Sequence, residues 1–298
     1  METSVVKGVA LAFLAYATYA LSDASIKLLD GSLDPFLVVF IGALFGILAI
    51  PFVKRPGDRW IDLVLTRNWP MWGLRALTAA TGSVASVVAF TALPMAEAFA
   101  LIFLLPAFVT ILSVLFLKEQ VGWRRWTAVL VGFGGVLIVL RPGFRELGIG
   151  HLAAIAGGFS GAVTIILLRK LGGTEKRISL YGAGLIGPIV MSGLMMLPHA
   201  SWPTPGQWLF LTSYGVLSAA GNILLMLASA RVAASLVAPT QYSQMVWALI
   251  LGYALFGDHL DVYMLVGAAI IVAAGLFTFV REKQRAPWGR RHPSVHPQ

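Results

Sequence analysis

The stretch ASLVAPTQYSQMVWALILGYALFGD, residues 234–258, decides the fold. It is long and apolar enough to cross a bilayer as a helix, which requires roughly 20 residues. Near its start it nevertheless contains a proline and then several polar or aromatic side chains: Pro239, Gln241, Tyr242, Gln244 and Trp247. An amide without a partner in hydrocarbon costs about 2–7 kcal/mol. We therefore expect these side chains to face a protein interior or a water-filled cavity.

The composition of the whole chain is that of a membrane protein. The 298 residues are 58% hydrophobic and 12% charged, with a mean hydropathy of +0.83. Soluble domains carry about 25% charged residues. The chain has no cysteine, which excludes disulfides and thiolate metal sites. The net charge of +9 lies in short loops between apolar segments, so we expect no nucleic-acid partner.

Apolar windows predict ten membrane spans, so the expected class is an all-α membrane protein. The segment after Lys7 resembles a signal peptide, but its apolar run continues beyond Ala17, so we interpret it as the first span. The predicted spans are residues 6–28, 35–53, 70–92, 95–117, 123–140, 149–169, 179–198, 206–229, 234–256 and 262–280.

The distribution of Lys and Arg predicts the orientation of these spans. One set of alternating loops and termini holds 18 of these residues, and the opposite set holds 3. By the positive-inside rule both termini lie in the cytoplasm, which agrees with an even number of spans. We expect a multi-pass protein of the bacterial inner membrane, in contact with the lipid bilayer and functional as a monomer.

An internal repeat divides the chain into two halves. Residues 8–31 align with residues 150–173 at a constant offset of 142, and residues 92–119 resemble residues 228–258. The predicted units are 1–143, 144–281 and a basic cytoplasmic tail, 282–298. Each half holds five spans, an odd number, so the halves enter the membrane from opposite sides. Such inverted repeats are typical of secondary transporters with a substrate site near the midplane.

Polar and aromatic side chains at helical spacing are the candidates for lining that site. Single hydroxyls have an alternative role, because they also bond the carbonyl one turn back or a neighbouring helix. The amides have the alternative role of interhelical clamps. The selected residues are Tyr19, Thr78, Ser83, Phe103, Ser160, Tyr214, Asn222, Gln241, Tyr242, Gln244 and Trp247.

Three charged residues lie in or near predicted spans. Arg75 is expected to extend toward the membrane surface, with a place in the cavity as the alternative. Asp23 is expected to pair with Lys27 one turn along the helix, and Glu97 to be solvated at an outer hairpin. No carboxylate is expected at the midplane, so tight proton coupling is not favoured.

Two prolines are candidate bending points. Pro106 and Pro239 each remove a backbone donor within or near the start of a span. We interpret them as hinges for alternating access, with static kinks as the alternative.

No pattern indicates an enzyme. The five histidines are interpreted as loop or tail residues without metal-ligand spacing, and the chain has no phosphate-binding loop. We therefore expect no catalytic residue, metal or cofactor.

The half-signatures at residues 92–119 and 234–258 resemble the drug/metabolite transporter superfamily of the EamA type. Within it, the chain most resembles bacterial amino-acid exporters of the YddG type. That resemblance implies ten helices around a central cavity and export of aromatic and other neutral amino acids. The four-helix multidrug relatives carry a glutamate in their first helix, whereas this chain has only Asp23 there.

The predicted function is export of small neutral or zwitterionic metabolites, amino acids first, by alternating access. A nucleotide-sugar carrier would need several basic cavity residues, and only Arg75 is available. Broad efflux of drugs and toxic metabolites is the alternative among transporters. A membrane scaffold or receptor is the alternative from another class, but it would not need inward-facing polar stripes.

Overall fold

The computed structural model describes residues 2–141, 147–171, 174–198, 201–232 and 237–285. These residues form helices, turns and loops, with no strand among them. The predicted boundary at residue 143 and tail residues 286–298 lie outside this set. The helices are α1 (Glu2–Lys27), α2 (Pro35–Phe45), α3 (Ile50–Val53), α4 (Trp69–Ala92), α5 (Met95–Ile102), α6 (Leu105–Leu117), α7 (Trp123–Leu140), α8 (Ile149–Leu171), α9 (Arg177–Met196), α10 (Pro205–Ser229), α11 (Ser243–Phe256) and α12 (Val262–Arg285), with 3-10 turns at Gly46–Ala49, Trp60–Leu63 and Ala238–Tyr242.

The membrane character of the fold is confirmed. Among the described residues, seven helical segments are long and apolar enough to cross a bilayer. Shorter apolar helices, Trp126–Leu140 and Val262–Phe277, lie at the fifth and tenth predicted spans. The ninth predicted span corresponds to a 3-10 turn followed by α11, and residues 233–236 of it are outside the described set. The count of ten crossings stays a prediction.

Several helices begin where local side chains satisfy the free amides of the first turn. Asp34 caps α2 by accepting from Phe36 N at 2.9 Å, and Asn68 caps α4 by accepting from Met71 N at 3.2 Å. Thr204 forms a capping box with Gln207 at the start of α10. Each of these helices also has a proline in its first two positions, where the missing N–H costs nothing.

The fourth predicted span is broken rather than continuous. It is divided between α5 and α6 at Phe103 and Leu104. Pro106 lacks the N–H that would bond to the carbonyl of Ile102 in a continuous helix. That carbonyl lies against Gly158 of α8, where an added methyl group would be only 3.0 Å away. A break therefore falls where a neighbouring helix approaches the backbone.

Six helices surround a central space. Within this ring the largest contacts join α1 to α10, α4 to both α8 and α9, and α2 to α9. The pair α7 and α12 packs together outside this ring, with Gly135 opposite the backbone of Gly267. These two glycines therefore allow the backbones of α7 and α12 to approach each other closely.

Loops gather at two ends of the bundle. At the basic end, the Glu175 carboxylate accepts hydrogen bonds from Thr66 Oγ1 and from the Arg67 amide, at 2.9 and 2.8 Å. At the opposite end, Lys27 Nζ donates to Leu93 O at 2.7 Å, and the Met95 amide donates to the Asp258 carboxylate at 3.0 Å. These contacts connect distant parts of the chain at both ends.

Candidate substrate cavity

A polar cavity lies inside the ring and has two lobes. The first lobe, about 300 Å³, is lined by α1, α4, α8 and α10 and contains Asp23. The second, about 250 Å³, is lined by α2, α4, α9 and α10 and contains Arg75. Ser83, Tyr214 and Ser218 line both lobes, so we treat them as one central cavity. We refer to its parts as the Asp23 lobe and the Arg75 lobe.

The wall of the Asp23 lobe is built on hydroxyl contacts between α4 and α8. The Thr78 and Thr164 hydroxyls are 3.2 Å apart, and those of Thr81 and Ser160 are 3.3 Å apart. Gly82 of α4 faces Ser160 so closely that an added methyl group would lie 3.1 Å from Ser160 Cβ. These small residues bring the two helices together, as in other membrane helix pairs.

Asp23 does not make the ion pair predicted from its spacing. The Lys27 ammonium turns away to Leu93 O and lies 5.1 Å from the ring centroid of Phe256. Among the described residues, no hydrogen bond or ion pair reaches the Asp23 carboxylate. Asp23 is instead part of the cavity wall, beside Tyr19 and Tyr214.

The Arg75 lobe combines a guanidinium with a tyrosine and an amide. Arg75 lies against Gly184 of α9, where an added methyl group would be 2.6 Å from Nη2. Tyr181 Oη donates to Gly46 O at 2.7 Å, and Asn222 Nδ2 donates to Ser218 O at 3.0 Å. The amide of Asn222 is therefore partly satisfied within its own helix, while its side chain still lines the lobe.

A second cavity, about 240 Å³, lies beside the two irregular spans. We call it the break cavity. Phe103, at the end of α5, stacks on Tyr242, at the end of the last 3-10 turn, with ring centroids 5.5 Å apart. The Tyr242 ring rests on Gly275 of α12, where any side chain would overlap it. Pro106, Pro239 and Gln241 also line this cavity.

The end of the bundle opposite the basic end contains a buried polar pair. His151 Nε2 lies 2.9 Å from Glu97 Oε1, and the two residues are only 8% and 3% exposed. Because His151 Nδ1 accepts from Gly148 N at 3.0 Å, the ring proton lies on Nε2 and points to Glu97. The interpretations of Glu97 as solvated and of His151 as a loop residue are both wrong. The pair joins α5 to the first turn of α8.

The basic end has its own ion pair, outside the spans. Lys176 Nζ donates to Asp62 Oδ2 at 2.6 Å, and the Arg59 amide donates to the same oxygen at 2.9 Å. The ammonium of Lys176 and this amide hold the pKa of Asp62 below its ordinary value. The carboxylate form of Asp62 is thus the one that the fold stabilises.

The predicted site residues fall into three groups. Those lining the central cavity are Tyr19, Thr78, Ser83, Tyr214 and Asn222, together with Asp23 and Arg75. Those lining the break cavity are Phe103, Pro106, Pro239, Gln241 and Tyr242. Those lining neither are Glu97, Ser160, Gln244 and Trp247. Glu97 pairs with His151, Ser160 bonds to α4, and Trp247 packs against the apolar core.

Several residues that line the cavity were not among the selected candidates, and two of them, Ser218 and Tyr181, show why. Ser218 lies between Tyr214 and Asn222 on one stripe of α10, so its spacing could have identified it. Tyr181 stands alone in an apolar segment, and its only sequence signal is the neighbouring glycines Gly182 and Gly184.

The sequence matches the model of the EamA-like transporter family at residues 6–141 and again at 148–280. The chain belongs to this family. Its relatives include the S-adenosylmethionine uptake transporter of Rickettsia felis, 29% identical over 96% of both chains. The riboflavin transporter of Rhizobium johnstonii is 30% identical over 80% of this chain and 78% of its own. The pseudopaline exporter CntI of Pseudomonas aeruginosa is 26% identical over 90% of this chain and 94% of its own.

The fold of this EamA-like protein also resembles a known crystal structure. The TM-score is 0.61 at 21% identity, covering 92% of this chain and 97% of the other. The family and the names of the relatives indicate a multi-pass membrane transporter rather than an enzyme. The predicted membership of the superfamily is confirmed.

Proposed function

We propose that this EamA-like transporter exports small zwitterionic metabolites, amino acids first, across the bacterial inner membrane. The observation that carries the proposal is the central cavity, whose polar walls come from helices of both halves of the chain. Polar side chains at membrane depth are costly unless they line a cavity or a pathway. A transported solute that bonds to them offsets that cost.

The chemistry of the cavity supports a substrate that is polar and uncharged overall. Its walls present tyrosine rings, hydroxyls and one amide, and its two charged side chains are of opposite sign: Asp23 and Arg75. A polyanion would be attracted by Arg75 but repelled by Asp23. A zwitterion can place its negative group toward Arg75 and its positive group toward Asp23. Aromatic faces beside these polar groups suit amino acids with apolar side chains.

We further propose ten crossings in two inverted halves, with both termini in the cytoplasm and a monomeric functional unit. The double match to the family model and the concentration of Lys and Arg in alternate loops support this arrangement. Alternating access would then expose the cavity to each side in turn, with the irregular spans at Phe103 and Tyr242 as its moving parts. Broad efflux of amphipathic compounds is less well matched to a cavity with these polar walls.

Uptake is the second candidate direction. The observation in its favour is that S-adenosylmethionine uptake transporters match nearly the whole chain. Because an uncoupled carrier works in either direction, solute gradients would then decide the direction.

The test is flux in liposomes that contain the purified protein. Labelled L-phenylalanine, L-alanine and S-adenosylmethionine would be measured in both directions, with and without a pH gradient. We expect amino-acid flux without the gradient, and Asn222→Ala should reduce it severalfold at normal folding. Gln244→Ala is the matched control, because this amide lines neither cavity. Absence of flux for every amino acid would refute the substrate class, and a strict need for the gradient would refute uncoupled transport.

A further inference from the structure

Arg75 is the one Lys or Arg side chain of the described residues that lines the central cavity. It lies six residues after the start of α4, about 9 Å along the helix. Its Nε is buried without a hydrogen-bond partner, and no described residue forms an ion pair with the guanidinium. A buried guanidinium N–H without an acceptor is costly, while the remainder of the half-buried side chain lines the cavity.

Two ordinary explanations for such an arginine do not apply. No acid among the described residues pairs with Arg75, and the acid that lines the cavity, Asp23, belongs to the other lobe. Extension to the membrane surface is also absent, because the guanidinium lies against Gly184, seven residues into α9. The sequence expectation that Arg75 reaches the surface is therefore wrong, and the alternative place in the cavity is observed.

The surroundings of the guanidinium fit an anionic group of the solute. Gly184 gives it a flat support without a side chain, while Tyr181, Ser218 and Asn222 line the remainder of the lobe. A planar guanidinium binds a carboxylate through two parallel hydrogen bonds, which a lysine ammonium cannot reproduce.

We propose that Arg75 binds the carboxylate of the transported metabolite. The assignment rests on the proposed function and adds to it a required group on the solute and the residue that recognises it. Amino acids whose carboxylate is esterified or removed should then lose recognition, even though their side chains and ammonium groups are unchanged.

The experiment compares the binding of three probes to purified protein: L-phenylalanine, its methyl ester and phenethylamine. Ligand-dependent thermal stabilisation in detergent gives an apparent affinity for each probe. The wild type should prefer phenylalanine over both analogues by about 10- to 100-fold, the range expected for a charge-assisted hydrogen bond. Arg75→Gln should abolish this preference, and Arg75→Lys should keep part of it.

Two further variants separate binding from folding. Gly184→Ala keeps the charge but displaces the guanidinium, so it should weaken phenylalanine binding with little change in the unliganded melting temperature. Arg231→Gln is the matched control, because Arg231 is exposed, lies in the turn after α10 and donates to Leu227 O of that helix, away from the central cavity. It should behave like the wild type.

The outcomes distinguish the two proposals. If Arg75→Gln still prefers phenylalanine over its ester, or if the wild type binds both equally while carrying phenylalanine in liposomes, the Arg75 assignment is overturned and the proposed function stands. If the wild type neither binds nor carries any amino acid tested, both are overturned.

Discussion

Two glycines of α9, Gly184 and Gly187, should lose different amounts of stability on the same substitution to alanine. A methyl group at Gly187 of α9 would overlap the carbonyl oxygen of Ala76 in α4 and lie 2.6 Å from its carbonyl carbon. Ordinary contact begins at 3.4 Å. Backbone atoms cannot rotate away from the clash, so the whole of α9 would have to move from α4.

The loss of stability depends on the kind of atom that the added methyl group would overlap. Overpacking a tight contact usually costs about 1–3 kcal/mol, and a clash with backbone belongs at the upper end of that range. Gly184→Ala meets the end of the flexible Arg75 side chain instead, and should cost under about 1 kcal/mol. Gly73→Ala is the control in open space within α4, and should stabilise by about 0.5–1 kcal/mol through helix propensity.

The assay is reversible unfolding in mixed micelles titrated with SDS, followed by far-UV circular dichroism. We expect the free energy of unfolding to fall in the order Gly73→Ala, wild type, Gly184→Ala, Gly187→Ala. Equal stabilities for the Gly187 and Gly184 variants would refute the packing of α4 against α9 described above.

Two more predictions concern the ends of the bundle. His151→Ala removes the hydrogen bonds to Glu97 and from Gly148, so it should lower the free energy of unfolding by about 1.5–3 kcal/mol. Glu97→Gln keeps an oxygen that accepts from His151 Nε2–H, so it should cost less. Equal losses of stability in the two variants would contradict the placement of the ring proton on Nε2. Because the pKa of Asp62 is lowered in the folded state by the Lys176 ammonium and the Arg59 amide, its contribution to stability is present above the unfolded pKa of about 3.9 and is lost as pH falls through the lower folded value. Unfolding measured from pH 6 to pH 2 should therefore depend less on pH in Asp62→Asn than in the wild type, and parallel curves would contradict this linkage.

Most of the helices could be predicted because residues close to each end determine where the helix begins and ends. The third predicted span began at residue 70, and α4 begins at Trp69, where Asn68 and Pro70 provide the cap. The separation at Leu93 and Pro94 is confirmed because Leu93 is extended, with φ −122° and ψ 155°. Capping residues and prolines act within one turn, so a single sequence is sufficient to place them.

The sequence did not predict the irregular segments of the spans or the partners of the charged side chains, because both depend on residues far away in the chain. The i to i+4 spacing of Asp23 and Lys27 favours a pair, but Lys27 finds the carbonyl of Leu93 on another helix. Gln244 and Trp247 were expected in the cavity because they follow Gln241. The 3-10 geometry of Ala238–Tyr242 rotates the following α-helix relative to a regular continuation, so they face elsewhere.

The glycines of the spans belong to two kinds that the sequence alone does not distinguish. Some face a neighbouring backbone, as Gly187 and Gly158 do, and these set the distance between helices. Others face a large cavity side chain: Gly184 supports Arg75, and a methyl group at Gly221 would lie 2.8 Å from the Tyr19 ring. Substituting the first kind moves helices, whereas substituting the second kind moves the groups that contact a solute. Both kinds are glycine in an apolar segment, so they differ in their effect on transport only because of what the opposite helix places against them.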